Sequence, residues 1–328
     1  PRPLGVGPVS WVGVFVAGGL ALLMALESHP LRAGVLFVCA LLWLVGSSPV
    51  LLDPPPPRVV MFDVGQGDAV LLQGRRAAVL VDAGRSFMGG GDMGRSVVAP
   101  GLRALGVSRL DALVASHADL DHRGGLLHIL TQFEVGEIWL PAAAPGREGF
   151  GALRALAKSR GVPVLELAAG DPIREVGDIV FEPLWPPPVL IDDSTNENSL
   201  VLRAEMAGYR ILLTGDIGSR SERALMDRGA RLAADLLKVA HHGSAGSSTA
   251  SFLHAVDARI SLVSASCAGF SGLPSPHTLK RLEASGTVVG WTGRDGAILV
   301  GLGSKPNTID GLGLRTWAES RACPVGEG

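Results

Sequence analysis

The sequence predicts an α/β protein, its β-sheets sandwiched by helices, behind an apolar N-terminal segment. Three observations predict it. Short apolar runs of strand length recur from residue 58 onward, broken by glycine-rich turns. Helical stretches interleave with them in the later part of the chain. Clusters of His and Asp stand directly after several of those runs, where loops from neighbouring strands converge on one cleft.

The 328 residues are 47% hydrophobic and 18% charged, against about 25% charged in an ordinary soluble domain. The shortfall is concentrated near the N-terminus. Leu4 to Leu26 is apolar except for Ser10, and Glu27 ends the run. After Ser28-His29-Pro30 a second apolar run extends from Ala33 to about Leu52. Each is long enough to cross a bilayer. No small-residue cleavage pattern follows the first, so residues 1–52 are expected to be two transmembrane helices rather than a signal peptide and a core helix. Trp11 and Trp43 suit interfacial anchors, whereas Arg2, Arg32 and Arg58 are too few to set an orientation. Asp53 and the four prolines of residues 53–57 read as a stiff linker. Residues 58–305 then form the expected catalytic domain, and residues 306–328 a flexible tail. A formal net charge of −2 leaves no global basic surplus, so nothing suggests tight, salt-resistant docking onto nucleic acid, while a substrate that visits briefly remains open. Cys39, Cys267 and Cys323 show neither metal spacing nor an even-numbered disulfide pattern and are expected to be ordinary thiols.

Within the catalytic domain the strand-like runs are Val59–Phe62, Ala69–Leu72, Ala77–Val81, Leu110–Ala115, Ile138–Leu140, Val164–Leu167, Ile179–Pro183, Ser199–Ala204, Arg210–Thr214, Leu236–Ala240, Ile260–Ser264, Val288–Trp291 and Ala297–Val300. Helices are expected over Gly125–Leu130, Ala152–Ser159, Ser219–Asp227, Ser248–Val256 and His277–Ser285.

The strongest chemical signal is His117-Ala118-Asp119-Leu120-Asp121-His122, four candidate ligands in six residues just after an apolar strand. A loop turns all four inward, as one face of a strand or helix cannot. Imidazole with carboxylate suits zinc, manganese or iron better than calcium. A second cluster, Lys238-Val239-Ala240-His241-His242-Gly243-Ser244, also ends a strand. One of its histidines suits a metal and the other a substrate or supporting role, though alone such a pair is as often a surface feature. Asp216, in Thr214-Gly215-Asp216, stands before a helix and reads equally as an N-cap or as a carboxylate shared by two ions. Asp82 in Val81-Asp82-Ala83-Gly84, the turn Asp63-Val64-Gly65-Gln66-Gly67-Asp68, and the Asn196-Glu197-Asn198-Ser199 loop supply further polar groups, each also readable as plain turn chemistry.

Taken together, this order of motifs resembles the metallo-β-lactamase superfamily. It most resembles the C-terminal domain of ComEC-type competence proteins, which internalise DNA. The runs that carry the likeness are Phe62–Leu72, Val81–Gly84, Ser116–Leu126, Asn196–Arg203, Leu212–Ile217, Leu237–Ser244 and Arg294–Ile298, spanning about residues 58–300. The resemblance implies an αβ/βα sandwich with a metal site at one edge, binding two ions of Zn2+ or Mn2+. His117 and Asp119 are implied for one ion, Asp121, His122 and His242 for the other, with Asp216 bridging. Asp121, Asp216 and His242 are implied as catalytic. Asn198 falls where related proteins place another histidine, which implies one weaker site. Asp63, Gln66, Asp68, Asp82, Asn198, Lys238, His241, Ser244 and His277 are left for substrate or support. Where the family commonly has His-Pro-His-Pro, this chain reads Leu273-Pro274-Ser275-Pro276, with His277 displaced.

The function implied is a membrane-anchored, metal-dependent nuclease of a DNA-uptake system, with DNA as a transient partner alongside membrane lipid and other uptake components. The implied location is the inner membrane, with the hydrolase domain on its extracytoplasmic face. Two other readings stay open: a metallo-hydrolase acting on RNA or a small ester or lactam, and a catalytically inactive scaffold of the uptake channel.

Overall fold

The computed structural model describes residues 56–87, 89–142, 147–189, 193–267, 272–303 and 312–316, with residues 32, 34, 38 and 323. The chain divides into a unit of Pro1–Pro55 and a unit of Pro56–Gly328. The two membrane spans expected over residues 1–52 fall outside the described residues apart from positions 32, 34 and 38. Among the described residues no helix is long and apolar enough to cross a membrane.

The second unit begins with β1 (Arg58–Met61), β2 (Val70–Gln73), β3 (Ala78–Val81), β4 (Arg109–Val114), β5 (Glu134–Pro141) and β6 (Val164–Leu167). It continues with β7 (Arg174–Val176), β8 (Ile179–Trp185), β9 (Val201–Met206), β10 (Tyr209–Leu213), β11 (Leu236–Lys238), β12 (Ile260–Val263) and β13 (Val288–Trp291). Finally β14 (Ile298–Leu302) and β15 (Leu312–Thr316) return to the first sheet. One sheet runs β15-β14-β1-β2-β3-β4-β5-β6 and the other β13-β12-β11-β10-β9-β8-β7. Each combines an antiparallel part with a parallel part: β3 to β6 in the first sheet, β10 to β13 in the second.

Strand alternation builds the layers. Val59, Met61, Val79 and Val81 of the first sheet meet Phe181, Leu202, Ile211 and Leu213 of the second in a central core. Val60, Leu80 and Leu113 point the other way, onto α1 (Ala99–Ala104) and, past the short α2 (Leu120–Arg123), onto α3 (Leu126–Gln132) and α4 (Gly151–Ser159). Leu212, Leu237 and Val263 face α5 (Ser219–Asp227), α6 (Ala250–Val256) and α7 (Pro276–Ala284), beyond which a short α8 spans Thr292–Asp295. Because both faces of both sheets are covered, these strands read as unbroken apolar runs rather than as alternating ones. The fold is the metallo-β-lactamase type of α/β sandwich, helices outside and two sheets within.

Three features differ from the sequence expectations. The edge strand β7, Arg-Glu-Val, is too polar and too short to register as a strand. Residues 312–316 of the supposed tail pair antiparallel with β14, from Leu302↔Leu312 to Ile298↔Thr316. Cys267 and Cys323 are not free thiols but a disulfide that clips the chain near its end to the loop after β12. An odd cysteine count hides such a bond, because it offers no even-numbered pattern from which to read a pair. Cys39 lies outside the described residues.

The disulfide closes a sequence separation of 56 residues, and a loop of that order contributes about 2–4 kcal/mol by restricting the unfolded chain. Cys323→Ser is expected to lower the urea midpoint accordingly, and dithiothreitol to lower the wild type to the same value. A midpoint indifferent to both would show that the bond restrains nothing.

Candidate metal centre

In α/β sheets the carboxyl ends of parallel strands are the natural place for a site, since the loops leaving them diverge and open a crevice. Here both sheets contribute such ends. Asp82 follows β3, His117 follows β4, Asp216 follows β10, Lys238 closes β11 and His242 follows it.

The turn at residues 63–68 is built into this meeting point. Gly67, at φ 123°, lies so close to the Asp121 backbone that a Cβ has no room. Asp68 N–H donates to Asp121 O at 3.3 Å, and Ser264 Oγ–H to Gly67 O at 2.6 Å. These contacts hold the Asp68 carboxylate inside.

Asp68, His122, Asp216 and His242 are all buried, and each offers a ligand atom within 4.8 Å of the others. Asp216 Oδ2 lies 3.2 Å from His122 Nε2 and 3.1 Å from His242 Nε2. Asp121 Oδ2 approaches His242 Nε2 at 3.5 Å. Neither buried Nε2 makes an aligned hydrogen bond, short as these distances are. Donors that crowd one point without bonding each other suit a shared cation, and the residues present therefore fit a divalent ion.

The other ring nitrogens are already committed. His122 Nδ1 is 2.8 Å from Asp82 Oδ2, and His242 Nδ1 is 3.0 Å from Ser264 O. Each acceptor fixes the tautomer that leaves Nε2 free for metal. Asp82 is held in turn by Ser116, whose N–H and Oγ–H donate to its two oxygens at 2.8 and 2.6 Å.

Backbone strain accompanies this placement. Asp82 sits at φ 59°, His241 at φ 50° and His242 at φ 53°. Left-handed residues other than glycine cost about 1 kcal/mol or more each and cluster at functional sites. The turn Ala240–Gly243 uses two of them in succession. It points His242 inward, while His241 Nε2 stays 3.4 Å from Asn196 Nδ2 in the half-buried rim.

Charge is balanced within the cluster. Lys238 is buried, ion-paired with Asp68, 3.3 Å from Asp216 Oδ1, and donates to Gly215 O at 2.8 Å. Asp216 thus divides its oxygens between an ammonium and two imidazoles. Burial pushes the Asp216 carboxyl upward, but His122, His242 and Lys238 together hold it well below the usual carboxylate range. Burial likewise opposes His122, yet Asp216, Asp82 and Asp68 push it up to about 10. His242 is raised in the same way, chiefly by Asp216 against the effect of burial. His117 is the opposite case: burial and the neighbouring His122 bring it down to about 4. Its imidazole is neutral, with a buried Nε2 that makes no hydrogen bond and lies 3.7 Å from Asp119 Oδ2.

The structure thus brings together His122, Asp121, Asp216 and His242, with His117 and Asp119 alongside. Asp68 joins the cluster itself, a place its turn sequence did not reveal. Asp82 orients His122, and Lys238 holds Asp68 and Asp216. Ser116 and Ser264 were missed; Ser116 had a signal, being adjacent to His117, and Ser264 had none. Asp63 stabilises its own turn by accepting from Gly65 N–H at 3.3 Å, and Gln66 is half-buried on the same turn. Asn198 is buried and donates to Ser194 O at 2.8 Å. Ser244 Oγ accepts from Gly246 N–H at 3.4 Å. His277 is exposed on α7 and is not part of the cluster. Asp216 is not a helix cap: Gly218 is the N-cap of α5, and Glu197 Oε2 accepts from Gly218 and Ser221 N–H at 3.3 and 3.0 Å.

This fold and site define a metallo-hydrolase architecture. The chain belongs to the metallo-β-lactamase superfamily, whose sequence pattern matches residues 62–266. Its curated relatives include proteins named for competence and for recombination. It is 29% identical over 303 residues to ComE operon protein 3 of Bacillus subtilis (strain 168), covering 87% of this chain and 38% of that protein. It is 31% identical over 300 residues to competence protein ComA of Neisseria gonorrhoeae, covering 85% and 40%. Recombination protein 2 of Haemophilus influenzae (strain ATCC 51907 / DSM 11121 / KW20 / Rd) is 27% identical over 76% of this chain and 29% of its own length. The chain spans less than half the length of these relatives. Among solved structures it is similar to the metallo-β-lactamase fold protein YhfI from Bacillus subtilis, at 16% identity and a TM-score of 0.48, over 72% of this chain and 96% of that one.

Two predictions follow from the electrostatics. The surrounding carboxylates raise His122 to about 10 and His242 well above its usual range, and a metal takes only the neutral ring, so loading one ion is expected to release about two protons. Titration calorimetry in buffers of different ionisation enthalpy measures this; release of none would mean neutral rings beforehand. Without metal, the raised His122 contributes stability that is complete below 6.5, its unfolded value, and lost as pH rises through about 10. The melting temperature of the chelated protein should fall across that window, and that of the loaded protein much less.

Asp82→Asn tests the support of His122. The amide presents a donor where His122 Nδ1–H and Ser116 Oγ–H both need an acceptor. Loss of such a partner weakens metal binding roughly 10- to 100-fold, measurable by competition with a chromogenic chelator. Unchanged affinity would remove Asp82 from this role.

Proposed function

We propose that the chain is a divalent-metal phosphodiesterase that cleaves DNA as part of a ComEC-type uptake protein. The buried Asp68/His122/Asp216/His242 cluster, in a chain whose relatives are named for competence and recombination, carries this reading. A divalent ion there would supply polarisation of a phosphoryl oxygen and activation of water. His122, Asp216 Oδ2 and His242 would hold it, with Asp121 beside them while Asp68 stays paired with Lys238. Asp82 and the Ser264 carbonyl keep the two imidazoles turned toward it, and Lys238 keeps Asp216 from rotating. His117 and Asp119 offer a second, more open position, and Asp119 is 42% exposed there on its side chain. An inactive scaffold has no use for three buried imidazole nitrogens without hydrogen bonds, so the enzymatic reading is preferred. The Cys267–Cys323 bond supports an extracytoplasmic location for the domain, because disulfides persist in oxidising compartments. The apolar segment of residues 1–52 supports a membrane attachment.

The test is cleavage of single- and double-stranded DNA by the purified chain with Mn2+, with Zn2+ and with chelator. Asp216→Asn and Asp216→Ala are both expected to abolish cleavage while the far-ultraviolet circular dichroism stays native. Metal-independent cleavage, or full activity in Asp216→Asn, sinks the mechanism. Hydrolysis of RNA or of an ester with DNA left intact moves the substrate elsewhere in the superfamily.

A further inference from the structure

Among the described residues, every phenylalanine, tyrosine and tryptophan but one is buried in a core; the exception is Phe87, 46% exposed. The ring is presented by a built turn. Phe87 N–H donates to Gly91 O at 2.8 Å, Gly90 N–H returns to Phe87 O at 3.2 Å, and Ser86 bridges Asp92 beneath them. Gly89 and Gly90, at φ 115° and 95°, adopt backbone angles that other residues resist. Arg85 lays its guanidinium over the ring, with Cζ 5.7 Å from the centroid, and is itself exposed.

This turn belongs to the neighbourhood of the metal centre. It starts three residues after Asp82. Gly84 N–H donates to Asp68 O at 2.8 Å, and Ala83 N–H to His122 O at 2.9 Å. Ser86 N packs so tightly on Gly124 that no side chain fits between them. The ring and its arginine therefore stand on the chain that orients His122 and touches Asp68.

A flat aromatic face backed by a guanidinium is the standard means of holding an unpaired base. Stacking supplies the affinity whatever the base, and the cation faces the backbone. An intact duplex hides its base faces and offers this ring nothing. We propose that Phe87, with Arg85, is a stacking platform for a base of single-stranded DNA beside the metal centre. The proposal rests on the DNA reading above and narrows it to a strand already unpaired.

The experiment is fluorescence anisotropy of the full chain in detergent and chelator, against an oligodeoxythymidylate and an abasic oligonucleotide of equal length. Phe87→Ala is expected to weaken thymidylate binding by about tenfold or more. Affinity for the abasic strand and the melting temperature should not change, and Phe87→Trp should restore binding. Equal loss on both strands, or no loss on either, overturns the platform. So does a Phe87→Ala variant that keeps its DNA affinity but no longer sediments with phosphatidylglycerol vesicles, which would make the ring a lipid contact. A wild type that cleaves DNA yet is indifferent to Phe87→Ala sinks the platform alone. A wild type that neither binds nor cleaves DNA sinks the DNA reading with it.

Discussion

The interaction on which the rest depends is the Asp216 carboxylate, held between groups from both sheets. His122 reaches it from the first sheet, and His242 and Lys238 from the second. A lone buried carboxylate is costly to desolvate, and removing one partner of such a cluster leaves uncompensated charge. The sandwich must therefore bring the ends of β3 and β4 and the ends of β10 and β11 to one place within hydrogen-bond tolerance. The central core between the sheets supplies that registration, and the acids and imidazoles penalise any slip in it.

The ion economy of the site follows from the same residues. Asp68, Asp82, Asp121 and Asp216 bring four negative charges; Lys238 returns one, and the protonated His122 and His242 return two more. A dication that expels both imidazole protons leaves this balance unchanged. Lys238 is fixed on Asp68 and Asp216 Oδ1, so one oxygen of Asp216 is turned to the ammonium and the other to the imidazoles. His117, neutral and with its Nε2 unbonded, is already in the form a second ion requires, but its carboxylate partner Asp119 is solvated. The position beside it is correspondingly the looser one.

The legible part of this site was the part written locally. His117 to His122 stand within one loop after an apolar strand, so composition and spacing alone marked them. Asp216 was readable only as one of two things, because a strand-end Asp before a helix also caps. What removes the capping role is that Glu197, from a different loop, already occupies the α5 amides. Asp68 looked like turn chemistry because its partner Lys238 is 170 positions away, and no local pattern announces an ion pair across two sheets. Most strands were legible because burial on both faces makes them continuously apolar. The edge strands were not: Arg174–Val176 has one neighbour and a polar sequence, and Leu312–Thr316 sits among glycines that read as a tail.

The charge of the chain bears on how the DNA proposed above would be held. A formal net charge of −2 leaves no overall basic surplus from which counterion release along the backbone would draw affinity. Two sources remain. On the proposed reading, a divalent ion held by the His/Asp cluster would supply neutralising charge at the reacting phosphate. Stacking on an exposed ring adds affinity that does not require a basic surface. On the proposed reading, a site built this way would hold strands weakly in general and release product readily. It would also select unpaired strands, because in a duplex the bases spend their stacking on each other. The same scarcity of positive charge that argues against a DNA-storage or DNA-packaging role is thus compatible with a nuclease that meets its substrate briefly, one strand at a time.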